Sequence, residues 1–382
     1  MRSSGLALSS LALLAVTAPA ALAQEPLKPE EMTVETIAPG TKKLFAIDLS
    51  LTHVVDGKIR VYDAESLKRL GTIGSGFLGM MFVPEGGDRL YVSTSYVEKL
   101  SRGKRSDWLE IYDSSSLALK NEIEISNTRA QALNYTSLMQ ASHDQHWMFI
   151  QNSTPATSIT VVDLVNSKQT SEVPNPGCYG IFPSSADALK FFTLCGDGTL
   201  GSYVLTADGA SAERKSSKRL FDADEDALFI HGERDGADWI FLSFAGDIYR
   251  VNAEGDTASL VEKTPMAADG WRPSGYQTHA YHAASGTLFV LMHPKGAEGS
   301  HKNPGEEIWA YDLKNKKLLS RSPTTTAFSV AVSQGEGAPV VYALNLVEAM
   351  LMRYTADPAA AFKLTAAGQV KAGELPLQVE LQ

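Results

Sequence analysis

A short β-strand phrase that recurs along this chain constrains its fold more than any other feature. Each copy runs through a few apolar residues to an aspartate or a similar turn residue, and a polar turn and a further strand follow. Three copies are plain: Lys58-Ile59-Arg60-Val61-Tyr62-Asp63, Trp108-Leu109-Glu110-Ile111-Tyr112-Asp113 and Ser158-Ile159-Thr160-Val161-Val162-Asp163. Weaker copies at residues 202–205, 247–252, 307–312 and 350–354 bring the count to seven. The spacing, roughly 40 to 60 residues, is that of propeller blades. Most copies follow a β-rich run (residues 89–94, 146–151, 190–194, 239–243, 287–292 or 340–344), and some follow a further run such as 79–83, 180–183 or 328–332. Period-2 alternation with almost no helical periodicity argues against an α/β fold, and a β-sandwich would not need seven copies. The chain is therefore expected to be an all-β, seven-bladed β-propeller over residues 43–382. Its first blade begins at residues 43–49 without an inner strand, while residues 376–381 are an unassigned strand, so the C-terminus is expected to close the ring and remove two exposed sheet edges.

The N-terminus predicts export. Arg2 supplies a positive charge, residues 6–16 are apolar apart from two serines, and Ala21-Leu22-Ala23 is a small-x-small cleavage site. Residues 1–23 thus read as a signal peptide cut after Ala23, too short in its apolar part to span a bilayer. Residues 24–42, with Pro26, Pro29 and the pair Glu30-Glu31, have little strand character and read as an N-terminal arm. A formal charge of −10 with scattered lysine and arginine gives no reason to expect a nucleic acid or an anionic membrane as partner. The only cysteines, Cys178 and Cys195, would meet an oxidising compartment, so a disulfide between neighbouring strands of one blade is expected.

Self-contained catalysis finds little support. The histidine pairs are His279 with His282 and His143 with His146. Residues three apart on a strand point to opposite faces, so His279 and His282 are poorly placed to share a metal. Gly196-Asp197-Gly198 and Glu85-Gly86-Gly87-Asp88 have the composition of hairpin turns, and no phosphate-binding loop or nucleophile elbow is present. The basic cluster Arg102-Gly103-Lys104-Arg105-Ser106-Asp107 either grips an acidic partner or is a solvated loop whose Asp107 pairs locally. Phe77, in Gly74-Ser75-Gly76-Phe77-Leu78-Gly79, is a large ring with little local support, which must fill a core or plug an opening.

Five segments, in order along the chain, resemble one family. They are Ser101–Asp107 (Ser-Arg-Gly-Lys-Arg-Ser-Asp), Gln151–Ile159, Gly177-Cys178-Tyr179 with Cys195-Gly196-Asp197-Gly198, Asp269-Gly270-Trp271-Arg272-Pro273-Ser274-Gly275-Tyr276, and His293-Pro294-Lys295-Gly296 through His301-Lys302. Together they are similar to the heavy (α) subunit of tryptophan tryptophylquinone amine dehydrogenases. The resemblance implies a periplasmic assembly of two heavy propellers and two small, cysteine-rich light chains. The light chain would carry the quinone, made from its own tryptophans, and the catalytic aspartate. No catalytic, cofactor-binding or metal-binding residue is then expected here, and Trp108, Trp147, Trp239, Trp271 and Trp309 read as packing residues spread over different blades. The implied reaction oxidises a primary amine to an aldehyde and ammonia and passes electrons to a cupredoxin or c-type cytochrome. Segments 102–107 and 293–302 look nearer to the aromatic (aralkylamine) branch, and Asp269–Pro273 to the methylamine branch. Phe77 matches the position where the family places a substrate-channel phenylalanine, although the local sequence departs from the family after Leu78. The competing readings are an exported lactonase-like hydrolase, which needs acidic and amide ligands converging on the central channel, and a binding scaffold without an enzyme partner.

Overall fold

The aspartate that ends the plain copies of the phrase is a turn-maker. Asp63 Oδ1 accepts hydrogen bonds from the backbone N–H of Glu65 (3.1 Å) and Ser66 (2.7 Å) and from the Ser66 hydroxyl (2.7 Å). Asp113 repeats this with Ser115 and Ser116, Asp163 with Val165 and Asn166, and Asp312 with Asn315. Each turn then passes through one left-handed residue, Leu67, Leu117, Ser167 or Lys316, and sends the chain back antiparallel. The phrase is therefore a strand plus the cap of the hairpin that follows it.

The computed structural model describes residues 35–266 and 269–382. The expected signal peptide and most of the expected arm lie outside the described residues. Of the arm's remainder, Ile37 donates its N–H to Ser115 O at 2.9 Å and packs on an apolar cluster, ahead of the first strand, Lys43–Asp48. The described residues form an all-β propeller whose helical content is limited to short 3₁₀ turns. Five sheets are separate antiparallel meanders of four strands. The first runs Pro376–Leu381, Lys43–Asp48, Gly57–Asp63, Arg69–Gly76 from its inner edge outward, so the last strand of the chain pairs with the first. The others begin at the inner strands Met80–Phe82, Met139–Ala141, Cys178–Pro183 and Leu228–Asp235. In each, the recurring phrase is the third strand.

The sequence predicts seven four-stranded blades, whereas the remaining strands form one eight-stranded sheet. The strand Lys317–Val332 causes this: its first residues pair with Gly305–Asp312 and its last with Val340–Asn345. Its middle, Pro323-Thr324-Thr325-Thr326, is β-branched after the proline and contains no glycine, which favours strand over turn, and the chain passes from one partner to the other through a single left-handed residue, Thr326 (φ 40°).

Packing explains why second strands read as unbroken apolar runs. Trp147–Asn152 and Thr287–His293 are buried at every position, lying between neighbouring sheets. Inter-sheet clusters are aromatic: the Phe182 ring stands edge-on to Phe241 (4.7 Å) and Trp239 (5.2 Å), and burying each such ring contributes about 1.5–3 kcal/mol. Outer strands are polar instead, as in Leu119–Ile125 and Ala212–Ser216, where charge blunts the exposed edge. Ring closure is reinforced by Asp48, fully buried, which accepts from the N–H groups of Ser50, Glu374 and Leu375 and pairs with Arg60.

Candidate functional site

Antiparallel pairing decides which loops share a face. The loops before the inner strands and the hairpins between second and third strands fall on the same side of the disc. All five motif segments lie there, at 101–107, 151–159, 177–179 with 195–198, 269–276 and 293–302. Backbone contacts tie 269–276 to 293–302, Gly296 N–H to Gly270 O (2.7 Å) and Gly275 N–H to His301 O (3.3 Å), and join the two halves of the third segment, Gly196 N–H to Gly177 O (2.9 Å); Gln151 O accepts from Ala130 N–H (2.8 Å) in the preceding connection.

Phe77 sits on this face, in the turn that leads into Met80–Phe82. It is half-buried and belongs to none of the apolar clusters of the sheets. Gly76 before it has φ 56°, and a side chain there would collide with Thr94 Oγ1. Leu78 after it is also left-handed, at φ 46°. The turn is held by Arg129, only 1% exposed, whose guanidinium donates to Phe77 O, Leu78 O (3.0 Å), Ala130 O (3.3 Å) and Ser95 Oγ (2.9 Å). Burial brings the Arg129 pKa down to about 10, so it stays charged at neutral pH. Ser95 in turn donates to Asp107 Oδ1 (2.6 Å), and Arg105 forks onto Asp107 at 2.7 and 2.5 Å. Asp107 therefore pairs locally, but in the interior rather than in a solvated loop; Arg102 and Lys104 are the exposed members of the cluster. Nothing in the sequence around Arg129 marked it, because burial of a lone arginine has no periodic signature.

Beside this turn opens a cavity of about 450 Å³ lined by Tyr135, Phe229, Phe244, Tyr276, His301 and Phe328, among others. Tyr135 meets Tyr276 edge-on at 5.6 Å, and His301 stacks on Phe244 at 3.9 Å. Gly275 (φ 98°) lets the backbone press against Phe328 O, where a Cβ would clash. Burial pushes the Tyr135 phenol up to about 12 and, with Lys302 nearby, the His301 imidazole down, so both are neutral near pH 7. The chain from Arg129 to Tyr135 links Phe77 to this cavity, since Asn134 Nδ2 donates to Gly79 O at 2.7 Å.

Cys178 and Cys195 lie directly opposite on adjacent strands and are disulfide-bonded. His279 and His282 are both buried but diverge: His279 faces His231 (4.8 Å), whereas His282 turns to Ser285 and Gly335. His146 stacks on Trp147 at 4.5 Å. Trp271 and Trp309 are not spread apart as the sequence suggests. Their rings lie 5.8 Å apart, with the Arg321 guanidinium 4.5 and 4.7 Å over them, because the loop carrying Trp271 folds back on the strand carrying Trp309. The opposite end of the central channel gathers Glu85, Glu233, Gln277 and Glu380 from different inner strands and their ends, a convergence of acid and amide groups that the linear runs concealed. Among the described residues, no group of three or more His, Cys, Asp or Glu is placed to hold a metal ion.

The sequence profile described as methylamine dehydrogenase heavy chain matches residues 40–370. Relatives include the methylamine dehydrogenase heavy chains of Methylorubrum extorquens, 27% identical over 81% of this chain and 76% of that one, and of Methylophilus methylotrophus, 26% identical over 89% and 85%. Among solved structures, a periplasmic gluconolactonase of Pseudomonas aeruginosa superposes with a TM-score of 0.60 at 14% identity, covering 89% of this chain and 98% of that one. At that identity the likeness is one of fold alone.

Proposed function

The chain belongs to the methylamine dehydrogenase heavy chain family, and from that premise we propose that it is the heavy, non-catalytic subunit of a periplasmic quinone-dependent amine dehydrogenase. One observation carries the reading: the family match spans residues 40–370, and all five segments of the resemblance lie on a single face of the propeller. That face is proposed as the seat of a small, cysteine-rich light chain, in a complex of two heavy and two light chains. The eight-stranded sheet is read as two blades sharing Lys317–Val332, which completes seven.

Tryptophan tryptophylquinone is assigned to the light chain. The close tryptophans of this chain do not suit it, since Trp271 and Trp309 are tilted by 41° and covered by Arg321. The heavy chain's own part is to dock the light chain and to shape the approach of the amine. Phe77 is proposed to line that approach, its ring being half-buried and outside the sheet clusters. The substrate is a primary amine, oxidised to an aldehyde and ammonia, with electrons passing to a cupredoxin or c-type cytochrome. Segments 102–107 and 293–302 and the aromatic cavity favour an aromatic amine; the names of the relatives favour methylamine.

Purification of the intact assembly from the native periplasm tests the reading. A small cysteine-rich chain that absorbs in the visible and co-elutes with this one is expected, together with a heavy chain that starts at Gln24. A colourless monomer that hydrolyses esters would replace the proposal with the lactonase-like alternative.

A further inference from the structure

We infer that Arg129 is the positioning residue for Phe77, so that discrimination between amines depends on a buried guanidinium that never touches substrate. The inference rests on the reading of Phe77 as a channel residue.

The centre of the Phe77 turn has little else to hold it. Its flanking residues, Gly76 and Leu78, are both left-handed, a conformation uncommon for a leucine. The Phe77 ring lies outside the sheet clusters, so core packing does not fix its direction either. The ends of the turn are held by Thr94 Oγ1 donating to Ser75 O and Asn134 Nδ2 to Gly79 O (2.7 Å each). Its centre is held by the Phe77 N–H, donated to Ser95 O at 3.2 Å, and by the Arg129 fork across two successive carbonyls, Phe77 O and Leu78 O. Arginine presents five planar donors, enough to reach both carbonyls, Ala130 O and Ser95 Oγ together, whereas a lysine ammonium reaches one of the two carbonyls well and leaves the other short.

The arrangement is costly, which argues against a merely structural role. Among the described residues Arg129 makes no direct ion pair. Asp107 reaches it through the Ser95 hydroxyl and is already forked by Arg105, so the cluster carries one uncompensated buried positive charge. A turn that needed only its carbonyls satisfied would manage with a neutral amide. The Arg129 backbone is itself anchored to the next sheet, through Ala130 N–H to Gln151 O and through a bridge between Arg129 and Asn152. Phe77 is thereby registered against the neighbouring blade, at the start of segment 151–159.

The test is a double-mutant cycle on the purified heavy–light complex, reading the ratio of kcat/KM for a phenylalkylamine over a short alkylamine. Phe77→Ala is expected to shift this ratio on the order of tenfold. Arg129→Lys is expected to shift it in the same direction with the quinone spectrum unchanged, and to add nothing on the Phe77→Ala background. A ratio within about twofold of wild type for Arg129→Lys, while Phe77→Ala moves it, overturns the inference and leaves the channel reading standing. An Arg129→Lys effect that persists in full without the Phe77 ring overturns it as well. An unmoved ratio in Phe77→Ala itself overturns the channel reading, and the inference with it. Should Arg129→Lys fail to assemble, Arg129→Met frees both carbonyls without leaving a buried charge. It is expected to shift the ratio only when Phe77 is present, and an unchanged ratio there refutes the inference.

Discussion

Replacing Glu380 by glutamine should remove the fall in stability that this carboxyl is expected to cause between about pH 4.5 and pH 7. Glu380 stands in the central channel, open to water but ringed by protein, with Gln378 Nε2 donating to it at 2.9 Å. Glu85, Glu233 and Arg234 line the same channel, and the His231 ring lies 3.3 Å from Glu233. Loss of solvation, and secondarily the repulsion of Glu233, raise its pKa from 4.5 to about 7. The native state therefore binds this proton more tightly than the unfolded chain does. Its stabilising effect is complete below pH 4.5 and is lost as the pH rises through about 7. At about 1.4 kcal/mol per pH unit the loss is at most about 3 to 4 kcal/mol, and channel water reduces it to about 2. Glutamine keeps the shape and the hydrogen bond but has no proton to lose. The assay is urea unfolding of both proteins from pH 4 to pH 8, with coincident fluorescence and circular-dichroism transitions as the check that a single transition is measured. The difference in ΔG between variant and wild type should grow by about 2 kcal/mol in favour of the variant across this range. A difference that stays flat with pH would show that Glu380 is not desolvated, and the argument would fail.

Reduction of the Cys178–Cys195 bond, or the double Cys→Ala variant, should lower stability by about 3 kcal/mol, since it frees a short loop of 17 residues' separation; a melting temperature unchanged by dithiothreitol refutes this. Truncation after Leu375 removes the strand that pairs with Lys43–Asp48, and with it the fully buried Val379 and nearly buried Leu377. The ring should open, giving a marked loss of cooperativity and melting temperature in calorimetry, and an unaltered thermogram would contradict closure by the C-terminus. Asp63→Ala removes three hydrogen bonds at a hairpin and should cost about 1–2 kcal/mol by urea titration at pH 7. Because the Ser66 N–H, above all, holds the Asp63 pKa below 3.8, the difference from wild type should shrink only as the pH falls beneath that value.

The repeat and its hairpin caps were legible in the sequence because they are local. An aspartate that binds the N–H groups two and three residues ahead acts within one turn, so Asp63, Asp113 and Asp163 mark strand ends wherever the chain goes. The cysteine pairing was legible for a similar reason, the two residues lying on adjacent strands of one meander. Only the tertiary structure decided what meets across sheets. Arg129 on the Phe77 turn and Glu380 near Glu233 join residues from different meanders, where closure of the ring sets the distances, and Trp271 meets Trp309 by a loop folding back within one sheet; no periodicity records any of them. The eight-stranded sheet belongs there too, because whether residues 323–327 bend or run straight depends on the strands available on either side. Strand identity was thus a property of short segments, while the site was a property of the closed ring, which brings loops of separate blades onto one face.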